Sequence, residues 1–174
     1  MLNFTEIFEK AITRIPPAYF QVSIYGGDQI YRERVYCYEL YHQLRCLWPS
    51  DSHLTLNGEL DKAAHPIFIE MGKRFPKPDL LVHQPGDMNN NNTVIEVKPC
   101  NAKANAIKKD LETLAFFRSR IGYSRAIYLL FGSHATQTAE RVRRFAEQRT
   151  DLPQIELWIH EAPGDVKCLD PIGA

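Results

Sequence analysis

The chain has no charge of either sign to spare: its 174 residues carry 21 Lys and Arg against 21 Asp and Glu. A bulk basic pull toward nucleic acid is therefore absent, and any hold on a polyanion has to come from locally clustered side chains. Cysteine is scarce and scattered, at Cys37, Cys46, Cys100 and Cys168, with no Cys-x-x-Cys pair. That excludes a zinc ribbon and a dithiol redox motif, and leaves ordinary reduced thiols. No apolar run approaches the length of a membrane span, and the stretch from Met1 to Glu6 lacks the pattern of a secretion signal, so a cytoplasmic protein with no membrane partner is expected. Internal repeats are missing, and low complexity is confined to the asparagines at 89–92. A glycine-rich phosphate loop is missing too. The junction Phe131-Gly132-Ser133-His134 offers one glycine, which is thin support for a small-ligand α/β domain with an anion held there.

What is present is enough apolar content (44%) for a single core, so the chain is read as one domain over residues 1–174. Its most informative stretch runs from Lys77 to Pro99. The run Asp79-Leu80-Leu81-Val82-His83 and the run Thr93-Val94-Ile95-Glu96-Val97-Lys98 flank a polar, turn-rich loop, the pattern of a β-hairpin with a long connection. Alternation along the second strand puts Val94, Glu96 and Lys98 on one face and Ile95 and Val97 on the other. Pairing about a centre near Asp87 and Met88 sets Asp79 opposite Glu96 or Val97, which brings two acids and a lysine together. Carboxylates so close repel unless a cation lies between them, and oxygen-only ligands suit a hard ion such as Mg²⁺ or Mn²⁺. A metal held by Asp79 and Glu96 can activate a water and neutralise charge on a phosphate oxygen, with Lys98 beside it to position or deprotonate that water.

Pro78-Asp79 followed by Glu96-Val97-Lys98 resembles the PD-(D/E)xK nuclease superfamily, which has the restriction-endonuclease-like fold. The resemblance covers roughly residues 28–160. It implies an α/β core with a mixed sheet, an antiparallel meander joined to parallel βαβ strands and flanked by helices. It implies Asp79, Glu96 and the Val97 carbonyl as metal ligands, Lys98 as the catalytic lysine, and an auxiliary glutamate from the first core helix. The implied activity is Mg²⁺-dependent hydrolysis of DNA phosphodiesters, with a homodimer as one working form. A nuclease-fold module that binds nucleic acid or a partner protein without cutting is the alternative.

The rest of the chain is read against that order. Phe4, Ile7, Phe8, Ala11 and Ile12 recur at helical spacing before the stop Pro16-Pro17. A second helix is expected from an Asp28 cap to about Trp48, with Cys37, Leu40, Tyr41, Leu44 and Trp48 as its apolar stripe. It offers two candidates for the auxiliary acid: Glu33 lies on the stripe one turn before Cys37, and Glu39 lies on the far side in a segment that itself resembles nuclease-like first helices. Leu54 to Lys62 alternates as a half-buried strand whose polar face carries Glu59 and Asp61, which are either further ligands or a solvated surface, with Lys62 as a phosphate contact. Ile67-Phe68-Ile69 is a possible short strand.

After Pro99, a helix capped by Asn101 and ended by Gly122 carries Lys103, Lys108 and Lys109 as candidate nucleic-acid contacts. Arg125 to Phe131 is apolar enough to be a strand buried on both faces, completing a βαβ unit. A helix over 135–149 and a strand over 155–160 repeat the step, and the tail from Ala162 to Ala174 is expected to be irregular.

Overall fold

A computed structural model of the chain describes residues 3–59 and 76–174. Among these residues the strands β1 (Thr55–Gly58), β2 (Leu80–His83), β3 (Asn91–Pro99), β4 (Arg125–Phe131), β5 (Ile155–Ala162) and β6 (Asp165–Ile172) form one sheet in simple sequential order. The first three pair antiparallel, β3, β4 and β5 run parallel, and β6 returns antiparallel on β5. Antiparallel neighbours need only a turn, whereas each parallel step needs a crossover helix. Those helices are α4 (Ala104–Ser119), between β3 and β4, and α5 (Ala135–Glu147), between β4 and β5. The helices α1 (Phe4–Thr13), α2 (Pro17–Phe20) and α3 (Glu33–Leu47) precede the sheet.

Alternation along the strands splits the apolar side chains between two cores. Val94, Tyr128, Leu130, Leu157 and Ile159 pack with α4 and α5 on one face. Ile95, Val97, Ile127, Leu129 and Phe131 pack with α1 and α3 on the other. The central strands are buried on both faces, as the apolar run in β4 requires. This α/β architecture with a mixed sheet between helical layers matches the expected class at that level.

Several boundaries differ from expectation for local reasons. Asp28 is not a helix cap, because Val22 and Ile30 pair as an isolated bridge and keep the chain extended; α3 starts at Glu33. Asn101 does not cap α4, whose cap position is Lys103, with no side-chain bond. That helix ends at Ser119 with Arg120 as its cap, so Gly122, at φ +84, stands one position beyond the expected C′ site; it still turns the chain so that Tyr123 N–H returns to the Phe117 carbonyl at 3.1 Å. The tail is not irregular. Pro163 and Gly164 turn the chain back so that β6 covers the edge of β5, with Ile172 buried. Asp61, Lys62 and the run Ile67-Phe68-Ile69 lie outside the described residues.

Candidate active site

The hairpin pairs Leu80 with Ile95, so the register, carried one residue further, sets Asp79 opposite Glu96. Asp79 stands just before β2, where the ladder has opened, and its Oδ2 accepts the Val97 backbone N–H at 2.7 Å. A residue's N–H and C=O leave a strand on the same edge, so the Val97 carbonyl also faces Asp79. Asp79 and Glu96 share the sheet face of Val94, and the two carboxyls lie close enough to act on each other.

Lys98 follows Glu96 on the same face, two residues nearer the end of β3. Its Nζ lies 2.9 Å from Glu33 Oε2 and 3.5 Å from Asp110 Oδ2, and its side chain is 13% exposed. Glu33 opens α3 on one side of the sheet and Asp110 lies on α4 on the other, so the ammonium joins the two helical layers where the strand ends. Tyr128 O–H, from β4, donates to Asp110 Oδ2 at 3.0 Å.

Burial and mutual repulsion set the protonation. Burial raises the Glu96 carboxyl well above the usual carboxylate range, and the neighbouring Asp79 and Asp110 raise it further. Asp79 is also raised by burial, although Lys98 and the Val97 N–H pull it partly back. Burial raises Asp110 to about 6 against the opposing pull of Lys98 and Tyr128. Burial alone would lower Lys98, but Asp110, Asp79 and Glu33 outweigh it and raise it above an ordinary lysine, so this side chain is a fixed cation. The Cys37 thiol beside them is pushed up by burial and by Asp79 and stays protonated.

Four carboxyls, of Glu33, Asp79, Glu96 and Asp110, thus share one ammonium. Glu33 and Asp110 form direct ion pairs with Lys98, whereas Asp79 and Glu96 feel its charge without such a pair among the described residues. Among the described residues no three His, Cys, Asp or Glu side chains are arranged as a ready metal-binding group. The oxygen donors that meet at the hairpin's end are the Asp79 and Glu96 carboxyls and the Val97 carbonyl. All are oxygen, the surrounding charge is negative, and this fits a hard divalent cation.

The remaining candidates among the described residues are not brought to this cluster. Glu39 is buried on α3, where its Oε1 accepts from Gln43 Nε2 at 2.7 Å, and it does not meet the Asp79–Glu96 pair or Lys98. Although helical angle puts it on the far side from the apolar stripe, Glu39 is enclosed. Glu59 follows β1 and sits 3.6 Å from Arg34, both exposed, so it is an outer ion pair rather than an auxiliary ligand. Lys108 lies 5.0 Å over the Phe145 ring and so faces α5; Lys103, at the cap position before α4, and Lys109, on the helix, are exposed. Asp110 was missed in the sequence. Its signal is an acid between Ile107 and Leu114, three and four residues away, on the buried stripe of α4.

The Gly132 junction does not present an anion site. Gly132 N–H donates to the His160 carbonyl and Ser133 N–H to Tyr31 Oη, each at 3.0 Å. The start of α5 already holds the Glu161 carboxylate, which accepts from Thr136 N–H and O–H at 3.2 and 2.9 Å. No helix of the described residues is long and apolar enough to cross a membrane. No protein-family model, no curated protein and no solved structure matches the chain.

Proposed function

We propose that the protein is a metal-dependent nuclease of the restriction-endonuclease-like fold that hydrolyses DNA phosphodiester bonds at the cluster of Asp79, Glu96 and Lys98. The observation that carries the reading is the convergence of these three at the end of one hairpin, with Glu33 of α3 on the lysine. The location supports it as well, since sites in sheets with parallel strands lie beyond the carboxyl ends of those strands, where Lys98 and Glu33 meet.

Asp79, Glu96 and the Val97 carbonyl would hold Mg²⁺ or Mn²⁺. When bound, such an ion supplies a water of lowered pKa and offsets charge developing on a phosphate oxygen. The chain's own groups do the rest. Lys98, kept protonated by the acids around it, is suited to orient a water or a phosphate oxygen rather than to remove a proton. Glu33 and Asp110 fix its ammonium from opposite layers, and Tyr128 fixes Asp110.

The test is Lys98→Ala with labelled duplex, single-stranded and branched DNA and RNA, with Mg²⁺ or Mn²⁺. The expected outcome is a fall in cleavage rate of about 10²- to 10³-fold with binding largely retained. A parent protein inert on every substrate would overturn the reading and leave a non-cutting module of the same fold.

A further inference from the structure

Next to the carboxyl pair the structure opens a cavity of about 360 Å³, walled by Glu33, Cys37 and Asp79 on the site's side and by Arg34, Tyr38 and Tyr41 from α3. Its volume lies in the range of small-ligand pockets. Tyr38 and Tyr41 are three residues apart and so share a helix face. The two rings differ in how they are held. Tyr41 is half-buried, and its O–H reaches the Leu56 carbonyl at 3.5 Å, whereas Tyr38 is 66% exposed. A large aromatic left this open beside a concave, partly apolar surface has a face to offer a planar group.

The charges of the cavity narrow the occupant. Apart from the Asp79 edge, Glu33 and Glu59 line it, so a phosphate is disfavoured in its body, while a neutral planar group with amino donors is accepted there. Arg34 stands at the rim, and its exposed pairing with Glu59 at 3.6 Å is weak enough to be exchanged for a phosphate. A base in the cavity with its phosphate at the rim matches this pattern. A paired base cannot enter, because its faces are already stacked.

We infer that this cavity takes one unpaired nucleobase of the strand to be cut, stacked on Tyr38, so that the substrate is single-stranded at the cleavage point. The inference rests on the nuclease reading and names its substrate class. Stacking on an exposed ring tolerates any base, so it confers strand-form preference without sequence specificity.

The probe is a short single-stranded DNA carrying 2-aminopurine at successive positions, with fluorescence and binding measured in Ca²⁺ and again in EDTA. The full-length parent should quench one position selectively. Tyr38→Ala should lose that quenching and bind about 5- to 100-fold more weakly, and Tyr38→Phe should restore both. Equal binding of an abasic probe, an unchanged Tyr38→Ala, or a probe that binds in neither buffer would overturn the inference. Cleavage assays on the same proteins separate the two readings. Metal-dependent cutting with no effect of Tyr38→Ala sinks the base pocket alone, whereas Tyr38-dependent stacking without cutting sinks the nuclease alone.

Discussion

Replacing Asp110 by Asn tests the electrostatic account of the site, because the variant keeps the size of the side chain and an acceptor for Tyr128 but cannot ionise. Burial raises the Asp110 carboxyl to about 6, against about 3.9 for an exposed aspartate. The folded state therefore holds this proton more tightly than the unfolded chain does. Its contribution is fully present below about pH 4 and is lost as pH rises through about 6. The difference corresponds to about 3 kcal/mol, and the side chain is only 5% exposed, so solvent screening takes little from it. Relative to the parent, Asp110→Asn should gain about 3 kcal/mol of unfolding free energy between pH 4 and pH 7.5. Removing the charge also relieves Glu96, which Asp110 helps to raise, and this works in the same direction. Denaturant unfolding of both proteins in EDTA at several pH values measures the difference. Two curves separated by a constant offset across that range would refute the argument, since they would show that Asp110 acts through its hydrogen bond alone.

Two further outcomes are expected. Asp79→Asn should abolish calorimetric Mg²⁺ or Mn²⁺ binding while leaving the fold intact, because Asn still accepts the Val97 N–H; unchanged affinity would remove Asp79 from the ligand set. Gly132→Ala should cost about 2–4 kcal/mol, since the residue sits at φ +113 and a Cβ there would lie 2.6 Å from Cys100 Sγ and 3.1 Å from the Tyr31 ring; an unshifted thermal midpoint would contradict it.

The hairpin was legible because its signals are local. Alternation in β3 and the turn residues between β2 and β3 depend on neighbours in sequence, and they set the Asp79–Glu96 pairing to within one residue. The buried run of β4 was legible for the same reason. Polar residues satisfied across distance were not. Asp110 reads as one more helix acid until Tyr128 and Lys98 are placed against it from β4 and β3. The final hairpin was hidden because β6 is an edge strand, and its exposed Lys167, Cys168 and Asp170 lack the apolar alternation of a buried one.

The choice between Glu33 and Glu39 has a geometric answer that periodicity could not supply. Helical angle says which way a side chain points around the axis, but not how far along the axis its partner lies. Lys98 is the penultimate residue of β3, and only there, where the sheet stops, can one side chain reach the α3 layer as well as the α4 layer. Its partner on α3 must then lie at the same end of the domain. Glu33 is the first residue of that helix, whereas Glu39 lies six residues on, about 9 Å further along the axis at 1.5 Å per residue. A lysine anchored at the sheet's end spans the first distance and not the second, so the acid with the better place along the helix is the one that joins the site.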